Sequence, residues 1–141
     1  MIQIRKTQPE DIDHLMNIFE QGKRIMRKSG NLKQWTGSYP SRDLIKKDIE
    51  AGHSYVCLDK KEDIIGTFTF IPGKDPTYAR IYEGQWLDDE RPYATIHRLA
   101  STEDSHGVAA ACLLHLKCGS SIGFTDLTDF FTLLLTAAKA F

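Results

Sequence analysis

No charge of one sign dominates this sequence: 18 lysines and arginines stand against 19 aspartates and glutamates, and the isoelectric point lies near 6.5. That balance lacks the electrostatic footprint that nucleic acid or an anionic membrane surface attracts, so any partner is expected to be a small molecule or a protein. Cysteine is scarce. Cys57, Cys112 and Cys118 are odd in number and sit in apolar strand-like or helix-like contexts. With no secretory signal ahead of them, a reduced, cytoplasmic protein is expected rather than a disulfide scaffold. Cys112, His115 and Cys118 recur at every third position, but no fourth ligand pairs with them, and no metal is expected. Internal repeats and linker-like stretches are also absent. A length of 141 residues suits a single domain, 1–141, built on one core.

The most informative stretch runs from Tyr93 to Lys117. Tyr93 to Ala100 is β-branched, aromatic and alternately apolar, which predicts a buried strand. The polar segment Ser101 to Gly107 follows, and Val108 to Lys117 then combines small residues of good helix propensity with a leucine-rich face. Strand, glycine-bearing loop and helix make an anion-binding arrangement, because the first N–H groups of the helix have no intrahelical partner and carry the positive end of its dipole. Small residues at Gly107 and Ala109 would let a pyrophosphate approach the backbone. The same pattern also describes ordinary α/β packing.

Ahead of that stretch, Ile2 to Lys6 alternates as a half-buried strand does. Thr7 and Glu10 have capping-box spacing, and Ile12, Leu15, Met16, Phe19, Ile25 and Met26 predict one face of a long helix that Ser29-Gly30-Asn31 ends. The loop from Leu32 to Pro40 places Trp35 and Tyr39 outside any regular element, where aromatics either line a cleft or dock onto the core. Ser41 can cap a second helix bearing Leu44, Ile45 and Ile49, with Gly52 as its stop. Ser54 to Leu58 and Ile64 to Ile71 predict an antiparallel hairpin across the polar turn Asp59 to Asp63. Tyr78 to Trp86 is expected as an irregular strand broken near Gly84.

This order of elements, with Ile4-Arg5-Lys6, Gln34-Trp35, Tyr39-Pro40-Ser41, Thr67-Phe68-Thr69-Phe70 and Ile96-His97-Arg98-Leu99-Ala100-Ser101, resembles the GNAT superfamily of acetyl-CoA-dependent N-acetyltransferases. The resemblance implies an α/β fold with a mixed, mostly antiparallel central sheet flanked by helices. The family's pyrophosphate loop reads Arg/Gln-x-x-Gly-x-Gly/Ala, and Asp104-Ser105-His106-Gly107-Val108-Ala109 stands in its place. Gly107 and Ala109 match. Asp104 does not, and a carboxylate facing a phosphate at ~4 Å repels it by about 1 kcal/mol in water, so weaker coenzyme A binding is expected unless Asp104 turns away to cap the helix.

By that resemblance, acetyl-CoA is the co-substrate, Leu99 and Ala100 offer main-chain contacts to its pantetheine arm, and Ser105, His106, Gly107, Val108 and Ala109 cradle its pyrophosphate. An acceptor amine attacks the thioester directly beside a splayed strand whose backbone N–H polarises the carbonyl. The base that deprotonates it is expected in His97, whose side-chain type titrates near neutrality, with Glu83 and then Asp88 as the next candidates. Each has a bland reading as well: a hydrogen-bonded core histidine, a solvated edge, a turn. Trp35 and Tyr39 are the expected aromatic rim of the acceptor site. Family members commonly supply the acid from a tyrosine on the last helix, where this chain has Phe130 and Phe131, and they continue through a final pair of strands that this C-terminally truncated pattern lacks. Two functions follow: an N-acetyltransferase for a primary amine of a small molecule or peptide, or a catalytically impaired descendant that binds coenzyme A or a protein partner. Beyond Lys117, Ser121 to Thr125 is expected as a fifth strand and Asp129 to Lys139 as a last helix. The tail from Leu127 to Phe141 has almost no polar face yet is too short, at about 15 residues, to cross a ~30 Å bilayer. Its exposed apolar surface and strand edge predict a homodimer through Ser121 to Phe141.

Overall fold

The computed structural model describes residues 1–72 and 94–119. The expected strand around Glu83, Asp88, the fifth strand, the last helix and the dimer surface from Ser121 to Phe141 lie outside those residues.

Among the described residues, four antiparallel strands lie side by side in sequence order: β1 (Gln3–Lys6), β2 (Ser54–Leu58), β3 (Ile64–Pro72) and β4 (Ala94–Ser101). Two helices, α1 (Ile12–Lys28) and α2 (Arg42–Glu50), intervene between β1 and β2, and α3 (Val108–Gly119) follows β4. The period of two along each strand divides the core between the two faces of the sheet. Val56, Leu58 and Ala100 meet Ile12, Leu15, Ile18 and Phe19 of α1 and Ile45 of α2 on one face. On the other, Cys57 and Phe68 meet Val108, Cys112 and Leu116 of α3. Cys57 and Cys112 are free thiols, fully buried with their sulfurs 3.7 Å apart, and that contact together with burial pushes the Cys112 pKa up.

The helix ends follow local chemistry. Asn31 donates to the Met26 carbonyl at 2.9 Å and Gly30, at φ 88°, donates to Arg27 at 3.2 Å, closing α1 by the paired bonds of a Schellman motif. Gly52, at φ 72°, ends α2 in the same way, with His53 donating to Asp48 at 3.0 Å. Ser41 caps α2 as expected, its Oγ accepting from the Leu44 N–H at 3.2 Å. The hairpin turn is held by Asp59, whose Oδ1 accepts from Lys61 at 2.8 Å and Asp63 at 3.0 Å.

Two expectations for α1 need correction. Thr7 and Glu10 do not form its capping box: the Thr7 hydroxyl is buried against Ser54 Oγ at 2.7 Å, and the cap passes to Asp11, which accepts from the Gln8 N–H at 2.7 Å. A 3-10 turn, Pro9–Asp11, therefore precedes the helix. The buried stripe also turns away from Ile25, which is 40% exposed, toward Ile18 and Gly22. Gly22 leaves room there for two neighbours, since a Cβ on it would lie 3.4 Å from the Trp35 ring and 3.5 Å from Ala100 Cβ.

Asp11 also pairs with Arg5 through contacts of 2.7 and 3.1 Å, and these bonds hold its carboxyl below the usual carboxylate range. A depressed folded-state pKa contributes stability that is complete above the unfolded value of about 3.9 and is lost as pH falls through the lower folded value. Arg5 is 41% exposed, so water screens the ion pair. Asp11→Ala should cost about 1–2 kcal/mol at pH 7. In urea titrations the gap between variant and wild type should close as pH falls below the unfolded value of about 3.9 and on through the lower folded value.

Candidate functional site

The register between β3 and β4 changes partway along. Thr69 lies opposite His97, whereas Thr67 lies opposite Ala100, so Phe68 alone faces both Arg98 and Leu99. This is a β-bulge on β4, which bends the strand and interrupts its ladder. Arg98 occupies the left-handed region at φ 51°, where a side chain clashes with its own backbone and glycine is the usual occupant. What keeps it there is its guanidinium, bonded to Asp48 of α2 by Nε to Oδ2 at 2.8 Å and Nη2 to Oδ1 at 2.9 Å. Both side chains are buried, at 8% and 9% exposure. Thr69 Oγ1 donates to the same carboxylate at 3.2 Å, and Arg98 Nη1 donates to the Tyr39 hydroxyl at 3.3 Å. Four pieces of chain thus converge behind the bulge: β3, β4, α2 and the loop between the helices.

Past the bulge, β4 runs into a tight loop. Thr102 N–H donates to Ile65 at 2.9 Å and Ser105 N–H to Thr102 at 3.3 Å. The Ser105 hydroxyl donates to the Thr102 carbonyl at 3.0 Å, so both donors of Ser105 are engaged inside the turn. Gly107, at φ 79°, occupies the N-cap position, its carbonyl accepting the first helical bond from Ala111 at 3.0 Å. The cap is therefore Gly107 and not Asp104, which is exposed in the loop. A glycine cap has no side chain to accept the first-turn donors of Val108, Ala109 and Ala110, and Ala109 and Ala110 are exposed. Glu103 is turned toward α1, where Arg24 lies at 3.3 Å and Lys28 at 3.8 Å.

Close packing sets where this helix begins. Gly66 on β3 lies directly beneath Val108: a Cβ at Gly66 would fall 2.5 Å from Val108 Cγ1 and 3.1 Å from the Ala100 carbonyl oxygen. Val108 is 4% exposed, so yielding to such a Cβ would disturb its packing. Its side chain anchors the helix while its N–H belongs to the open first turn.

Among the residues singled out from sequence, the structure gathers His97, Leu99 and Ala100 on the bulged strand and Ser105, His106, Gly107, Val108 and Ala109 at the loop and helix start. His97 and Leu99 are half-buried; Ala100 is buried against α1. Trp35 docks on the core, edge-on to Phe19 with ring centroids 5.7 Å apart, and Tyr39 packs on Trp35 at 6.3 Å while remaining 39% exposed. Glu83 lies outside the described residues. Cys112 is committed to Cys57, and His115 rests edge-on against Tyr55. No group of three or more metal-ligating side chains gathers among the described residues. Sequence reasoning missed Gly66, Arg98 and Asp48. Asp48 did leave a signal, since it shares a helical face with Leu44, Ile45 and Ile49, and a carboxylate within an apolar stripe requires a partner.

The site thus consists of a bulged strand that runs into a helix N-terminus carrying no capping side chain. Comparison with solved structures makes this specific. An acetyltransferase of the GNAT family from Streptococcus agalactiae superimposes with a TM-score of 0.77 at 32% identity, over 85% of this chain and 70% of that one. A GNAT family acetyltransferase from Listeria monocytogenes matches with a TM-score of 0.54 at 14% identity, over 99% of this chain and 72% of that one. A predicted acetyltransferase from Clostridium acetobutylicum, crystallised with acetyl-CoA, matches with a TM-score of 0.52 at 16% identity, over 84% and 72%. No family model and no curated protein matches. At the identity and coverage of the streptococcal protein, the chain belongs to the GNAT family of acetyltransferases. No helix among the described residues is long and apolar enough to cross a membrane.

The two glycines should respond differently to a methyl group. Gly66→Ala forces Val108 outward and should cost about 1–3 kcal/mol as overpacking, with faster amide exchange in the first turn of α3. Gly107→Ala meets no atom within 4 Å. It should cost only the strain of its left-handed φ, about 1–2 kcal/mol, and leave exchange elsewhere in the first turn of α3 unchanged.

Proposed function

We propose that this chain is an N-acetyltransferase that carries the acetyl group of acetyl-CoA to a primary amine of a small molecule or peptide, by direct attack in a ternary complex. The observation that carries the reading is the continuous path from the bulge on β4 to the Gly107 cap of α3. Along it, backbone donors near Arg98 and Leu99 and at Val108, Ala109 and Ala110 can meet the carbonyl end and the pyrophosphate end of one extended thioester. Family membership and the acetyl-CoA held by the clostridial protein of the same fold support the choice of ligand.

In this reading, Leu99 and Ala100 present main chain to the pantetheine arm. Ser105 shapes the loop through its engaged donors, and His106 and Gly107 flank the phosphates. The first-turn N–H groups neutralise pyrophosphate without a cation, which suits a loop whose acidic Glu103 is drawn off by Arg24 and Lys28. Asp104 retains its adverse sign and lowers affinity. Tyr39 forms the exposed rim on the acceptor side, held from below by Trp35.

The acceptor reaches the enzyme as an ammonium with a pKa of about 10.4 for a lysine-like amine, so a proton must leave before attack. His97, beside the bulge, is the assigned base, with Glu83 as second candidate. The lone pair of the freed amine then forms the C–N bond as the C–S bond breaks, coenzyme A leaves as the thiolate, and the second amine proton ends on that sulfur to give the thiol.

Two measurements test this. Ala109→Glu places a carboxylate on the exposed first turn, where it favours the helix dipole, so the variant should be at least as stable as wild type yet lose coenzyme A binding by isothermal titration calorimetry. Unchanged affinity would remove the anion site from the Gly107 cap. His97→Ala should lower acetyl-CoA-dependent thiol release mainly below pH 8, where less acceptor is already neutral, with little change in coenzyme A affinity. A pH–rate profile parallel to wild type would return His97 to a packing role.

A further inference from the structure

We propose that Arg98 and Asp48 are positioning residues: their buried pair holds the β4 bulge in the one conformation that aims an unladdered backbone N–H at the thioester carbonyl of acetyl-CoA. This deepens the acetyltransferase reading and rests on it.

Three observations carry the inference. First, the bulge lies at Arg98 and Leu99, where two residues of β4 face the single residue Phe68, so the ladder with β3 leaves one residue's backbone groups over. Second, the strained position is filled by arginine at φ 51° rather than by glycine, which would adopt that backbone without penalty. A side chain retained where it strains its own backbone has work that glycine cannot do. Third, the far end of that side chain is fixed on every side. Asp48 takes Nε and Nη2 at 2.8 and 2.9 Å, Tyr39 takes Nη1 at 3.3 Å, and Thr69 Oγ1 adds a bond to the carboxylate at 3.2 Å. The fork-on-fork geometry sets the direction of the guanidinium as well as its distance, and through the side chain it sets the peptide plane at the bulge. Lysine, a point donor on a flexible stem, cannot do this.

A merely structural pair and a positioning pair make different predictions for glycine. If the pair only stabilises the fold, Arg98→Gly is the more damaging change, because it removes the pair and adds backbone freedom. If it holds a left-handed bulge, Arg98→Gly retains more of the required conformation than Arg98→Ala, which loses the clamp and keeps the penalty. The experiment uses the full chain with acetyl-CoA labelled with 13C at the carbonyl. Isotope-edited infrared spectroscopy reads the bound carbonyl stretch, titration calorimetry reads affinity, and thiol release reads turnover.

The expected result is a carbonyl stretch displaced to lower frequency in wild type and returned toward the free value in Arg98→Ala. Turnover in that variant should fall about 100-fold, the scale of losing one oxyanion donor, with coenzyme A affinity within about threefold of wild type. Arg98→Gly should retain more turnover than Arg98→Ala. Should Arg98→Ala not fold, Arg98→Lys serves, with the same direction of carbonyl shift and a smaller loss. A carbonyl frequency in Arg98→Ala or Arg98→Lys equal to that of wild type overturns the proposal, as does a turnover loss that only tracks lost affinity. A displaced carbonyl in wild type, restored in the variants, without thiol release to any amine would leave the clamp standing and sink the transferase reading.

Discussion

A carboxylate inside a protein must be paired or it will not stay charged, and Asp48 meets that demand by drawing Arg98 across from β4. The two charges lie on elements far apart in sequence, α2 and the last described strand. Removing one partner of such a buried pair typically costs about 3–5 kcal/mol, because the other is left without water or counter-charge. The pair therefore ties the helical layer to the strand at the place where the strand departs from regular pairing. The hydroxyls of Thr69 and Tyr39 complete the surroundings, and none of the described side-chain polar atoms that are buried lacks a hydrogen bond.

Around that tie, each layer follows simpler rules. Strand β2 alternates between the two cores, Val56 facing one and Cys57 the other, while the register of β3 shifts opposite Cys57 and Leu58 so that Ile65 joins Phe68 and Phe70 on one face. The first core is made by two helices lying on the sheet. Among the described residues, the second is made by α3, seated through Val108, Cys112 and Leu116. Since α3 starts where Val108 meets Gly66, the helix N-terminus is placed by packing beneath it rather than by the polar loop in front of it.

Much of this was readable before any coordinates. The hairpin, the Ser41 cap and the glycine stops at Gly30 and Gly52 are local, and local chemistry determines them. So is the strand–loop–helix pattern around Gly107. What escaped depends on contacts between distant residues. A bulge adds one residue to a strand whose apolar and polar positions still alternate convincingly on either side, so Ile96 to Ala100 reads as an unbroken strand. Gly66 resembles a weak point in a strand until the helix above it is known. Thr7 carried the expected capping spacing, but Ser54 offered its hydroxyl a buried partner, and Asp11 took the cap. Trp35 could have lined a cleft or joined the core; the space left by Gly22 places it in the core.

The contact between Gly66 and Val108 also bears on how this sequence can drift. The two positions share one small volume, divided so that the strand contributes nothing and the helix contributes an isopropyl group. Shrinking 108 to alanine removes the nearer obstacle to a Cβ at 66 and leaves the Ala100 carbonyl oxygen at 3.1 Å, whereas a larger residue at 108 has no remedy at 66, which is already at its minimum. Substitution across this pair therefore runs in one order: the helix residue must give way first, and the strand residue can grow only afterwards.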